Sequence, residues 1–209
     1  MKDPVTAMRD QILIATLPLV EEQGSWTWDA VRQGAMACKS QNKIEDGIFS
    51  NGLVDVVAHF SDYVDKLMLE KLKKIPSSSL RSKDKVRAAV LCRYGILESQ
   101  KSTVKASMAY WALPNHVIQG QRVLWRTADC IWNWAGDTAT DYNRQTKRAL
   151  LSSILLGTTM VWIGDESEDH IVTQAFLDRR LENVMEIGKT IGTMKKIVPN
   201  LFRQATQKK

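Results

Sequence analysis

At 209 residues, with 44% hydrophobic and 25% charged residues, the chain is long enough to bury one well-packed domain, or a small one joined to a larger, without disulfide or metal support. Its three cysteines, Cys38, Cys92 and Cys130, are far apart and form no C-x-x-C pair; this excludes a disulfide framework and a zinc site and reads as small buried thiols in a reducing compartment. The net charge of +6 would point to nucleic acid, but six cations with no acid lie beyond Ile187, so residues 1–186 sum to zero and the excess is a basic C-terminal arm.

MKDPVTAMRD at the N-terminus carries neither an apolar signal core nor a transit character, so the expected compartment is the cytoplasm, or the site of a processed form. Met8, Ile12, Ala15 and Leu19 recur at three- and four-residue spacing, one face of a long first helix. A second helix is predicted over Trp28–Ala37 and a short third near Lys43–Phe49. Breaks fall at Gly24-Ser25, Asn51-Gly52, Pro76–Ser79, Pro114-Asn115, Gly136-Asp137 and Gly164-Asp165, which delimit eight or nine helices and an all-α fold. The serines from Ser77 to Ser82 form the best boundary between a small N-terminal unit, residues 1–75, and a larger helical unit, residues 84–186.

The first unit has the rhythm of a three-helix DNA-binding head. Its charge opposes that use: residues 1–75 hold nine Lys/Arg against eleven Asp/Glu, and the recognition segment sets Lys43 against Glu45 and Asp46. Phosphate binding needs cations that release counterions. Catalytic signatures are equally absent from the sequence. His59, His116 and His170 lie in three separate segments, and no glycine-rich phosphate cradle follows a strand. The acidic run Asp165–His170 reads better as a helix cap, with Ser167 capping and acids in the first turn, than as a metal site.

Five of the seven tryptophans fall between Trp111 and Trp162, and Val117, Leu124, Ala128, Ile131 and Ala135 mark a core stripe flanked by Trp125 and Trp132. Thr138-Ala-Thr-Asp141 has the form of a capping box that opens the next helix. The apolar run Ala149–Gly164 contains Ser152, Ser153, Thr158 and Thr159 and is shorter than the ~20 residues of a membrane span. Over residues 187–209 (the third unit), Ile187, Ile191, Met194, Val198 and Leu201 step by three and four, Phe202 widens the stripe, and Lys195, Lys196 and Arg203 interrupt it. That pattern predicts an amphipathic basic helix that binds a membrane surface, interrupted near Pro199.

The run LWRTADCIWNWAGDTATDYNRQTKRALLSSILLGTT, followed by GDESEDH and FLDRRLENVMEIGK, resembles the Coq-nine family of coenzyme Q (ubiquinone) biosynthesis. The match is close over Ala106–Lys189 and looser over Arg9–Met68. The resemblance implies a fold like that of TetR-type regulators, with a vestigial helix-turn-helix head, and a C-terminal helical domain that binds isoprenoid lipid. It also implies a non-enzymatic role: presenting a quinone precursor to a di-iron quinone hydroxylase of the Coq-seven type, at the bacterial inner membrane or on the mitochondrial matrix side. No cofactor is expected beyond that bound lipid, nucleic acid is not an expected partner, and a homodimer is left open.

By the same resemblance the lipid would be lined by Met108, Trp111, Leu113, Leu124, Ile131, Ile154 and Leu155, and the partner would meet Asp141, Tyr142, Asn143, Arg144 and Gln145. The family usually carries a Trp-Tyr pair where this chain has Arg144-Gln145, so the interface differs at a position where aromatic anchors commonly dominate. A TetR-like, ligand-responsive transcription regulator is the alternative reading.

Overall fold

The computed structural model describes residues 3–45, 47–76, 80–140 and 142–184. Helix α1 spans Pro4–Gln23: Asp3 caps it by accepting from the Thr6 amide, and Gly24 stops it at φ 65°, donating its own amide to Val20 O. Only a residue free of a Cβ adopts that left-handed turn at little cost. The helix runs through Pro18, which is exposed and so loses its amide bond on the solvent side. Helix α2 covers Trp28–Ala37, as predicted, with Thr27 accepting from the Ala30 amide. The third helix differs from expectation: α3 is Gln41–Glu45, two residues upstream, and the Phe49 ring is buried in the connection that follows.

Helix α4 (Leu53–Leu72) buries Val56, Val57, Phe60, Val64, Met68 and Leu72 along one stripe. Helices α5 (Ser82–Leu97) and α6 (Lys101–Trp111) are separated by a single 3-10 turn, Glu98–Gln100. That junction carries neither Gly nor Pro in the turn itself, so composition did not announce it. Helix α7 spans Val117–Trp134 and α8 spans Tyr142–Ile163, so residues 138–140 are not helical and the proposed capping box at Thr138 does not open α8. A ninth helix, α9, occupies residues 171–184. Among the described residues there is no strand, and no helix long and apolar enough to cross a membrane.

One continuous core runs from Ile12 in α1 to Leu181 in α9. Helices α1 and α2 meet closely because Gly34 presents no side chain: a Cβ there would lie 2.9 Å from the Thr16 backbone nitrogen. The head is tied to the body as well. Trp26 Nε1 donates to Ser107 Oγ at 2.9 Å, and the Glu21 carboxylate accepts from the Ser102 and Thr103 amides at the start of α6. A buried cluster, His59 Nε2 to Asp10 Oδ1 at 3.0 Å and Lys66 Nζ to Asp10 Oδ2 at 2.8 Å, joins α1 to α4. Helix α4 therefore serves both halves, and the serine-rich boundary separates two segments of chain that share one interior.

Candidate functional site

An apolar cavity of about 410 Å³ lies among five helices, within the range of small-molecule sites. Helix α4 contributes Val57, Phe60 and Ser61; α5 contributes Arg93, Tyr94 and Leu97; α6 contributes Val104, Ser107, Met108 and Trp111. Helix α7 adds Val117, Gly120, Gln121, Val123, Leu124 and Thr127, and α8 adds Leu155, Leu156, Thr159 and Met160. The floor residues Val57, Phe60, Tyr94 and Leu97 are buried, whereas Val117, Leu156 and Met160 are 38%, 44% and 64% exposed and form a mouth. The cavity's width at α6 and α7 depends on Gly120, where a Cβ would come 2.8 Å from the Trp111 Cβ.

Of the residues expected to line a lipid site, Met108, Trp111, Leu124 and Leu155 border this cavity. Leu113 does not: it sits in the turn after α6 and is 48% exposed. Ile131 points into the core on the buried stripe of α7, and Ile154 borders a separate small crevice with Val86, Leu151 and Leu181. Both positions share an apolar helix stripe with true lining residues, and periodicity alone does not distinguish a neighbouring helix from a void. The contribution of α4 and α5 was missed altogether. A signal existed: Val57, Phe60, Ser61 and Val64 keep helical spacing, and Ser61 is a hydroxyl inside an apolar stripe.

The cavity floor is polar at one point. Arg93 Nη2 donates to Ser61 Oγ at 2.9 Å, Ser61 Oγ meets Thr127 Oγ1 at 3.3 Å, and Thr127 Oγ1 donates to Asp65 Oδ2 at 2.7 Å. The Arg93 Nε lies 3.4 Å from Asp65 Oδ1, which closes a ring of four side chains across α4, α5 and α7. Higher in the wall, Tyr94 Oη meets Thr159 Oγ1 at 3.1 Å, and burial pushes the phenol pKa up to about 12. Cys130 is likewise raised to about 11, by burial first and by the nearby Asp65 second, so its thiol stays protonated.

The tryptophan-rich stretch that carries the resemblance is an ion network at the α7–α8 corner. Arg148, with its side chain 1% exposed, donates from Nε to Asp129 at 2.8 Å, from Nη2 to Asn133 Oδ1 at 3.2 Å, and from Nη1 to Asp137. Lys147 Nζ reaches Asp137 Oδ1 at 2.6 Å and lies over the Trp132 ring, whose Nε1 donates to Lys147 O. Burial pushes the Asp137 carboxyl upward, but hydrogen bonds from Lys147 and Arg148 outweigh it and hold the group below its ordinary value; Asp129 is lowered by the same balance. Arg144, expected at a partner face, is half-exposed and pairs with Asp129 at 2.8 Å. Asn143 and Gln145 are exposed, while Asp141 and the Tyr142 side chain lie outside the described residues. So do all the residues expected at the membrane: Ile187, Ile191, Met194, Lys195, Lys196, Val198, Leu201, Phe202 and Arg203.

The three histidines do not converge. His59 pairs with Asp10, His116 stacks on Tyr110, and His170 Nε2 meets Glu98 Oε2 at 2.7 Å. No group of metal-binding side chains occurs among the described residues. The acidic run is a cap, with Asp165 sharing the role expected of Ser167: the Ser167 hydroxyl accepts from the Val172 amide at 3.3 Å, and the buried Asp165 carboxylate accepts from the Ser167 and Thr173 amides. Burial alone would raise its pKa, and the bonds from Ser167 and Thr173 carry it well below the usual carboxylate range.

The COQ9 family model matches residues 117–188, which begin with α7 and contain α8 and the corner network. Similarity to curated proteins extends further along the chain. The rat mitochondrial ubiquinone biosynthesis protein COQ9 is 28% identical over 195 residues, 90% of this chain and 62% of the relative. The human protein of that name is 27% identical over 195 residues, with 90% and 61% covered. The chain is similar to COQ9 proteins. It spans about three fifths of the length of the COQ9 proteins it matches. The fold is that of TetR regulators: a crystal structure of a TetR transcriptional regulator from Nitrosomonas europaea superposes with a TM-score of 0.64 at 20% identity, covering 84% of this chain and 97% of that one. At that identity the likeness concerns architecture alone. The COQ9 similarity thus includes the α7–α8 wall of the cavity and the ion network beneath it.

Proposed function

We propose that this chain is a non-enzymatic accessory protein of ubiquinone biosynthesis that holds an isoprenoid quinone precursor in the five-helix cavity and presents it to a membrane-bound quinone hydroxylase. The observation that carries the reading is the apolar, open-mouthed cavity itself, walled in part by the segment that matches COQ9. The printed names of the relatives supply the pathway. Apolar walls favour a hydrocarbon tail by removing its surface from water, and a mouth edged by Val117, Leu156 and Met160 lets a long tail leave the protein. Presentation would use the α7–α8 corner, where Asn143, Arg144 and Gln145 stand next to the ion network. Docking would use the basic arm over residues 187–209, since each Lys or Arg near an anionic leaflet contributes about 1 kcal/mol.

The test is organic extraction of the purified protein followed by mass spectrometry, together with quinone measurement in a deletion strain. Recovered isoprenoid lipid and depleted quinone support the proposal; no co-purifying lipid with normal quinone overturns it. The TetR architecture favours one second reading, a ligand-responsive DNA-binding regulator. Residues 1–75 carry a net negative charge, which opposes phosphate contact. A sequence-specific, salt-sensitive gel shift would replace the first reading with the second.

A further inference from the structure

Exposed apolar side chains gather around the cavity mouth. Val117, Leu156 and Met160 edge it. Leu113 and Ile118 do not line the cavity but stand beside Val117 at the α6–α7 turn, 48% and 62% exposed. A single exposed apolar residue is ordinary, whereas a cluster of them marks a surface that meets another apolar phase. The charges around this cluster are one-sided. From Ser99 to Ala128 the chain holds Lys101, Lys105, Arg122 and Arg126 and no acid, and from Ala149 to Gly164, along α8, it holds no charge at all. Lys101 and Arg126 are engaged, with Glu98 and Asp62. Lys105 and Arg122 are exposed, and Arg122 lies one helical turn beyond Ile118 on the same face of α7. A second exposed apolar pair, Ile171 and Val172, lacks this setting, since Glu166, Glu168 and Asp169 directly precede it.

We propose that the mouth rim is a membrane-docking face: Leu113, Val117, Ile118, Leu156 and Met160 sink into the outer apolar layer of an anionic leaflet, while Lys105 and Arg122 meet its phosphates. The cavity then opens directly onto hydrocarbon, and an apolar ligand passes between bilayer and protein without crossing water. The passage of ligand rests on the lipid-holding role proposed above; the docking does not. Taking the exposed apolar surface out of water favours insertion, and each cation near an anionic leaflet adds about fivefold in affinity. Because no helix among the described residues is long and apolar enough to cross a bilayer, the contact is interfacial. A second copy of the chain fits the face less well, since a symmetric pairing would set Lys105 and Arg122 of each copy against the same acid-free surface. The rim adds to the attraction of the basic arm over residues 187–209, which supplies the larger share.

The experiment uses the full chain and two kinds of vesicle, phosphatidylcholine alone and phosphatidylcholine mixed with phosphatidylglycerol, with binding read by sedimentation and each variant's fold checked by thermal melting. In the wild-type protein, mixed vesicles should slow hydrogen exchange of the backbone amides over residues 112–122. L113S/I118S should weaken binding to mixed vesicles by about tenfold, the effect of withdrawing two partly inserted side chains. K105Q/R122Q should weaken binding to mixed vesicles by at least as much and leave binding to phosphatidylcholine unchanged. I171S/V172S, which removes a similar exposed pair beside acids, should behave as wild type. Affinity for decylubiquinone in vesicle-free solution, followed by quenching of tryptophan fluorescence, should be the same in all three variants, because none of the six positions lines the cavity. Unchanged vesicle binding by L113S/I118S overturns the docking face, and so does an equal loss in I171S/V172S. A wild-type dimer that L113S/I118S splits, seen by sedimentation velocity, overturns it in favour of a second copy. Failure of the wild-type protein to bind decylubiquinone overturns the lipid-holding role alone.

Discussion

At the scale of single residues, Arg148 is a cation buried among carboxylates. Its guanidinium is enclosed and shared between Asp129 and Asp137, carboxylates at the C-terminal end of α7 and just beyond it. Removing one partner of a buried pair strands the other charges, which costs more than the pair itself contributes. Arg148→Met should therefore lower unfolding stability by roughly 3 kcal/mol, read as a shifted denaturant midpoint at unchanged slope. The same carboxylates make stability fall in acid. Their folded pKa values lie below the ordinary 3.8, so the native state holds fewer protons than the unfolded chain. That contribution is complete above pH 3.8 and is lost as pH falls through the lower folded values. Asp137→Asn should lower stability at neutral pH and flatten the acid limb of a stability-against-pH curve; an acid limb as steep as wild type would place the linkage elsewhere.

At the scale of helices, two glycines set how closely neighbouring elements approach. Gly34 lets α2 lie on α1, and an alanine there would press on the Thr16 backbone, which cannot rotate away. Gly120 lets the start of α7 lie on Trp111, a side chain with more freedom to shift. Overpacking typically costs about 1–3 kcal/mol, so both substitutions should lower the melting temperature, with Gly34→Ala the more damaging. Gly120→Ala has an added consequence, since Trp111 lines the cavity: pushed inward, the ring should weaken retention of decylubiquinone, measured by fluorescence titration. Equal loss of stability with unchanged retention would show that Trp111 yields outward.

At the scale of the whole molecule, a TetR-type frame has an acidic head fastened to the five-helix apolar cavity by α4, and the excess positive charge of the sequence lies outside the described core. Deleting residues 187–209 should abolish sedimentation with anionic vesicles and leave the melting temperature and decylubiquinone binding unchanged, because the described core ends at α9 with Leu181. Helicity lost far beyond the length of the deleted segment would instead show that the arm belongs to the packed body. The head and body should melt in one transition, since Trp26 and Glu21 bind across the division that the serine-rich stretch suggested.

Much of this protein was written locally. Glycines at 24, 52, 136 and 164 mark helix ends, and three- and four-residue periods mark helices, because both depend on the backbone preferences and solvent-facing patterns of neighbours in sequence. The odd composition between Trp125 and Arg148 was likewise enough to reveal the similarity to COQ9. Local rules failed where no special residue marks the event, as at the 3-10 turn between α5 and α6 and at the start of α8. They failed more widely at the cavity, since Leu124 and Ile131 share a helix and an apolar character yet one faces a void and the other a neighbour. Whether a stripe encloses space depends on how five helices meet, and only the tertiary structure decides that. The same is true of Arg93: in sequence it is one more cation, and packing alone brings Ser61, Asp65 and Thr127 into one cluster around it.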